Sequence, residues 1–236
     1  MTIALAGLAV ALGALVQGTV GFGIALVSVP LLAIIDPGLV PVPMLMLATA
    51  HAMLTLRREY RDTDWAGVGW ALLGRLPGIA IGVLAVALLP PRWFGLAVAV
   101  VVLGCVALSV VHWRPRPTVP ALLVAGVVSG AAGTASAIGG PPVALLYQHA
   151  HGARVRGTLA AYFVAGSLLS LAGLLVGGQV DADAVQAAAV MVPFLIAGFA
   201  LSNPARRLLD RGWTRPAVLA LAAGGAIALL AQTALG

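Results

Sequence analysis

No charged residue appears before Asp36, so the 34 residues from Thr2 to Ile35 form one uncharged apolar run. Seven further apolar blocks follow: Leu39–Leu56, Trp65–Leu89, Trp93–Val111, Pro120–Tyr147, Thr158–Val176, Ala184–Leu201 and Pro216–Leu235. A soluble fold must coat its surface with polar groups, and such domains devote about 25% of their residues to charge. Here the share is 8%, with a mean hydropathy of +1.08. The chain is therefore expected to lie in a lipid bilayer as a multi-pass helical protein of the cell (inner) membrane. A spanning helix needs about 20 apolar residues, a length that six of the eight blocks fit.

The first and fifth blocks do not read as plain spans. A straight helix over Thr2–Ile35 would be roughly 50 Å long, against a hydrocarbon core of about 30 Å. Its middle is Gln17-Gly18-Thr19-Val20-Gly21-Phe22-Gly23, and the middle of the fifth block runs from Ser129 through Gly133, Thr134 and Ser136 to Gly139-Gly140-Pro141-Pro142. Clustered glycines invite a break, and prolines oppose a continuing helix. Irregular backbone at membrane depth is tolerated where protein buries it or where it lines a wet cavity.

The arginines choose between a span and a re-entrant hairpin. If block five enters and returns on one side, the connections after blocks two, four, five and seven share that side. They hold eleven arginines: Arg57, Arg58, Arg61, Arg114, Arg116, Arg154, Arg156, Arg206, Arg207, Arg211 and Arg215. The opposite side holds Arg92 alone. Single crossings throughout would give no useful bias, so the positive-inside rule selects the hairpin. A second hairpin in block one then divides the chain into two repeats, 1–113 and 114–236. The first holds hairpin 2–35 and helices 39–56, 65–89 and 93–111. The second holds hairpin 120–147 and helices 158–176, 184–201 and 216–235. Three crossings per half invert the second relative to the first and leave both termini outside, the architecture of many secondary transporters. At one offset of 116 residues Gly23 matches Gly139, Pro77 matches Pro193 and Gly82 matches Gly198. The N-terminus lacks the basic stretch of a signal peptide, so the first block is expected to stay in the mature chain.

The stretches Val16-Gln17-Gly18-Thr19-Val20-Gly21-Phe22-Gly23, with Val29-Pro30-Leu31-Leu32 beyond, and Ser136-Ala137-Ile138-Gly139-Gly140-Pro141-Pro142 resemble the paired signatures of the TauE/SafE sulfite-exporter family. The second signature is typically a Gly-x-Gly-Gly-Pro-Pro run, and Ala137 stands where its first glycine is frequent. The resemblance covers the whole chain. It implies an integral membrane permease for sulfite, sulfonates or related organosulfur anions.

The residues that bear chemistry fall into three groups. A broken helix presents unpaired N–H groups and the positive end of its dipole, both suited to an anion. The candidate substrate-binding residues at the tips are Gln17, Gly18, Thr19, Gly21, Phe22, Gly23, Gly133, Thr134, Ser136, Gly139, Gly140 and Pro141; the rival reading is that the glycines only pack helices. Arg75 lies ten residues into the third block, roughly 15 Å along it, near mid-membrane. A central Arg costs about 2.5–3.5 kcal/mol on insertion scales, so its candidate role is the cation of an anion site, against a structural role on helix-end carbonyls. The position matching it in the second half is Met191. His51 is a candidate proton carrier or a packing residue, and His149 a candidate gate.

Other classes find little support. Basic residues placed between apolar runs read as topology, so nucleic acid is not an expected partner. No nucleotide-binding loop, metal-ligand spacing or nucleophile motif stands out, so no enzyme, cofactor or metal is expected. The single Cys105 permits no internal disulfide. The expected partners are a small anion, the bilayer and a coupling ion, either proton or sodium. A passive anion channel and a non-transporting scaffold are the alternatives.

Overall fold

A computed structural model describes residues 2–20, 23–90, 116–147, 150 and 152–209, with residues 93, 96, 97, 100, 103, 104, 107 and 227 besides. For residues 2, 20 and 203–209 it describes the backbone alone. Eight helices can be followed: α1 (Thr2–Val20), α2 (Ile24–Ile35), α3 (Val42–Glu59), α4 (Trp65–Leu88), α5 (Val119–Ser136), α6 (Gly140–Tyr147), α7 (Gly152–Val176) and α8 (Ala182–Leu209). The described residues contain no strand. Five stretches are long and apolar enough to cross a membrane: Pro37–Asp62, Trp65–Leu88, Val119–Ser136, Gly152–Val176 and Ala182–Ser202. The protein is an all-α membrane protein. Blocks four and eight, along with Gly21, Phe22 and His149, lie largely or wholly outside the described residues.

Blocks one and five are both broken helices. α1 ends at Val20 and α2 restarts at Ile24 after Gly23, whose φ of 120° suits glycine. α5 ends at Ser136, and the chain turns at Ala137 with φ 61° in the left-handed region. α6 starts at Gly140, with Pro141 and Pro142 in its first turn, where a missing N–H breaks no helical bond. Pro30 and Pro77, by contrast, sit inside continuous helices.

Several helices outrun the apolar blocks. α7 begins at Gly152 rather than Thr158, α3 runs to Glu59, and α8 runs to Leu209. Charges mark where the chain leaves lipid, but Arg57, Arg58, Arg154 and Arg156 remain good helix formers, so the helices continue through them.

Small residues fix the closest packing. Along α4, Gly74, Gly78 and Gly82 meet Leu123, Val127 and Ala131 of α5 in turn, so the two helices run parallel. A Cβ at Gly74 or Gly78 would overlap the carbonyl oxygen of Leu123 or Val127. Likewise Gly7, Ala11 and Gly18 of α1 meet Phe194, Gly198 and Ser202 of α8 in order. Such stripes let backbones approach and gain dispersion where lipid offers no hydrophobic drive.

These contacts fix the directions of the hairpins. Tyr147 at the end of α6 donates to Asp64 at the start of α4, 3.1 Å away. Since α5 is parallel to α4, segment 119–147 starts and finishes at the Asp64 end of the bundle. In the other hairpin Ser28 of α2 donates to Ala9 O of α1 at 2.9 Å, and Ile3 and Asp36 line one cavity with Asp183. Segment 2–36 therefore starts and finishes at the Asp183 end, and the two breaks approach each other from opposite ends.

Candidate functional site

A cavity of about 40 Å³ lies between the two breaks. Gln17, Gly23, Ile24, Ala25 and Leu26 contribute from the first hairpin. Gly133, Ala137, Ile138, Gly139, Gly140 and Pro141 contribute from the second, and Arg75 reaches it from α4. Leu45, Ala48, Phe163 and Ser167 complete the wall.

The two helix starts are chemically unequal. In α2 the N–H of Val27 is the first to bond back, to Gly23 O at 3.1 Å. The Ile24 N–H donates to Gln17 Oε1 at 3.0 Å. Ala25 and Leu26 sit too early in the helix for an intrahelical bond, and both line the cavity. The first turn of α6 holds Pro141 and Pro142, which have no N–H. The start of α2 thus brings backbone N–H groups to the cavity wall, while Pro141 and Pro142 bring none.

Arg75 is only 2% exposed. Its Nε donates to Gly166 O at 3.1 Å, Nη1 to Tyr162 Oη at 3.0 Å and Ser129 Oγ at 3.3 Å, and Nη2 to Ser170 Oγ at 3.0 Å. Gly133 and Gly166 leave room for it, since a Cβ would lie 2.9 Å from Nη2 or 2.7 Å from Nε. Every partner is neutral. Among the described residues the ion pairs are Arg154–Asp64 at 3.2 Å and Arg156–Glu59 at 2.7 Å, both at the Asp64 end. Among the described residues no carboxylate pairs with this guanidinium in the middle of the bundle.

Gln17 is held as tightly. Its Nε2 donates to His51 Nδ1 at 3.0 Å, and His51 Nε2 lies 3.1 Å from Ala14 O. His51 is fully buried and meets Phe199 edge-on at 5.0 Å.

Other candidates stand outside the cavity wall. Gly18 packs against Ser202, and Thr19 donates to Val16 O. Thr134 pairs with Ser170 at 2.8 Å, and Ser136 donates to Ala132 O at 2.8 Å. Ser129, Tyr162, Ser167 and Ser170 were not singled out by the sequence reading. Each is a buried polar residue within an apolar block, and that incongruity is the available signal.

At the Asp64 end, the loop after α3 is tied to the start of α7. The Asp64 N–H donates to Thr158 Oγ1 at 3.0 Å, and the Asp64 carboxylate accepts from Gly67 N–H, Tyr147 and Arg154. Burial pushes the Asp64 pKa up. The three hydrogen bonds and the Arg154 charge outweigh that effect and hold it below its ordinary value.

A multi-pass helical bundle with two broken helices meeting at a buried cation has the form of a membrane permease. Residues 5–229 match the family model for the sulfite exporter TauE/SafE. The chain therefore belongs to the TauE/SafE family, a family of transporters rather than enzymes. No curated protein and no solved structure matches it.

Proposed function

We propose that the protein is a secondary transporter that carries small sulfur-containing anions, such as sulfite or a sulfonate, across the cell (inner) membrane by alternating access. Arg75 carries this reading: a buried cation with no counter-ion among the described residues, bordering a cavity that also receives N–H groups from a helix start. An anion in the cavity meets this charge and trades its water for fixed donors. One water needs about 10–15 Å³ of such volume, so the cavity has room for about three. A compact oxyanion suits that space, and a longer sulfonate requires the hairpins to part.

Three observations support an inverted repeat over 1–113 and 114–236. The hairpins approach from opposite ends, α4 lies along α5 while α8 lies along α1, and α2 and α6 start 116 residues apart. On this reading the cytoplasm faces the Asp64 end, where Arg57, Arg58, Arg61, Arg154 and Arg156 gather, and the termini are outside. The ties among Asp64, Tyr147, Arg154, Glu59 and Arg156 close the inner side, and their parting opens it.

The test is a thermal-shift titration of purified protein with sulfite, sulfate, methanesulfonate and taurine, followed by flux in proteoliposomes. A ligand at 100 times its Kd stabilises the folded state by about 2.7 kcal/mol. Expected is a saturable shift with one or more of these anions and concentrative flux of the same anion. Flux that only follows the membrane potential, without coupling, refutes the carrier, and absence of any shift refutes the anion site.

A further inference from the structure

We infer that His51 and Gln17 form a proton-linked switch beside the anion cavity, which makes the proton the ion carried with the anion. The inference rests on the anion site proposed above and adds a coupling mechanism to it.

The hydrogen-bond partners leave one consistent assignment. Ile24 N–H can only donate, so it faces the oxygen of the Gln17 amide. The amide nitrogen then faces His51, so Nδ1 accepts and carries no proton. Ala14 O can only accept, so Nε2 holds the hydrogen. His51 here is neutral, as the Nε2–H tautomer, and Gln17 is locked by a donor on one side and an acceptor on the other.

A proton on Nδ1 breaks this lock. An N–H would then confront the NH2 of Gln17. If the amide rotates to offer its oxygen to His51, its NH2 confronts the Ile24 N–H. If it swings away, Ile24 loses its acceptor. Either way the first N–H of α2 is released beside Ala25 and Leu26, and a positive charge appears next to a cavity-lining residue. An anion in the cavity accepts the freed donor and is attracted by the charge. Proton and anion therefore favour each other, and linkage makes the effect reciprocal.

Within the described residues α1 and α2 carry no titratable side chain, and α8 carries Asp183 at its start and Arg206 and Arg207 near its end. On α3, Arg58 stands over the Phe199 ring that His51 also touches, with its guanidinium carbon 4.3 Å from the ring centre. α4 contributes Arg75 across the cavity, and α7 contributes Tyr162 bound to Arg75. Histidine is the side chain whose ordinary pKa places its charge change between about pH 5 and 8.

The probe is methanesulfonate, whose own charge is constant over that range. Its affinity for the wild-type protein is expected to rise at least about fivefold as pH falls from about 8 to 5. Adding it to weakly buffered protein near neutral pH should draw protons from solution. His51→Gln, which can accept from Gln17 and donate to Ala14 O, should bind with a flat pH profile and take up no protons. Affinity that is flat in the wild type, absence of proton uptake, or a slope that survives in His51→Gln overturns the switch and leaves the anion site standing. Absence of methanesulfonate binding at every pH overturns the switch together with a sulfonate site. Proton uptake is measured on the wild type alone, so a poorly folding variant leaves that arm decisive.

Discussion

Replacing Arg75 by Gln separates a ligand-binding role from a structural one, because the arginine's partners do not depend on it. Tyr162 donates to Ser129 at 2.8 Å, Ser129 donates to Gly139 O, Ser170 pairs with Thr134, and Gly166 O accepts its own helical bond. Removing the guanidinium orphans none of them. It also removes a buried charge whose insertion costs about 2.5–3.5 kcal/mol, against the loss of four hydrogen bonds and some packing. The melting temperature without ligand should therefore hold or rise. Anion affinity should fall by about 1.5–3 kcal/mol, roughly ten- to more than a hundredfold, the value of a hydrogen bond to a charged group. Arg75→Lys should recover part of this, since ammonium keeps the charge but loses the planar fork. Both quantities are read on the same purified variants, by anion titration and by thermal unfolding in detergent. A lower melting temperature with unchanged affinity in the Gln variant would refute the reasoning and make Arg75 a structural residue.

Other expectations follow from the same contacts. Gly78→Ala should destabilise by about 1–3 kcal/mol in thermal unfolding, because its Cβ meets the Val127 carbonyl. Gly69→Ala, facing open space, should change stability by no more than about 0.5 kcal/mol. Ala137→Gly should stabilise by up to about 1 kcal/mol in the same assay, since Ala137 holds a left-handed φ of 61°. Asp64→Asn keeps the helix cap but loses the charge that meets the half-exposed Arg154, so it should cost about 1 kcal/mol or less. The folded pKa of Asp64 is depressed, so its contribution is present above the ordinary value of 3.8 and lost as pH falls through the lower folded value. The gap in melting temperature between wild type and Asp64→Asn should close there. Cysteines at positions 58, 116 and 154 should be labelled from the cytoplasmic side alone; external labelling at 154 with 116 internal would show that segment 119–147 spans.

What was legible in the sequence follows from the bilayer's demands. A charge inside lipid is costly, so charges report where the chain leaves it, and each described helix overlaps an apolar block. Helix ends are less legible: Arg154 and Arg156 sit outside lipid yet inside α7, where they pair with Asp64 and Glu59. The breaks were visible because glycine and proline act locally. That Gly23, Gly139 and Arg75 line one cavity depends on tertiary packing, which no local pattern displays. The cage around Arg75 was not read at all, since serine and tyrosine in apolar runs are common and only tertiary packing assembles them from α5 and α7. Unequal donation by the two tips was readable: Pro141 and Pro142 have no N–H to give.

On the proposed repeat, the offset of 116 residues sets Arg75 apart from its counterpart. Subtracting 116 from the cage positions Ser129, Tyr162, Gly166 and Ser170 gives Gly13, Met46, Ala50 and Leu54, none with a polar side chain. Arg75 itself maps onto Met191, which is 2% exposed within an apolar cluster. An arginine at 191 would find no hydroxyl on these counterparts and would bear the full penalty of burying a charge. Conversely, Gln17 maps onto Gly133, and His51 maps onto Ser167. The cation and its cage thus combine α4 with the second half, while the amide and imidazole belong to the first. On the proposed function, an anion held by both would lie across the boundary between the proposed halves, the surface along which alternating access would move them.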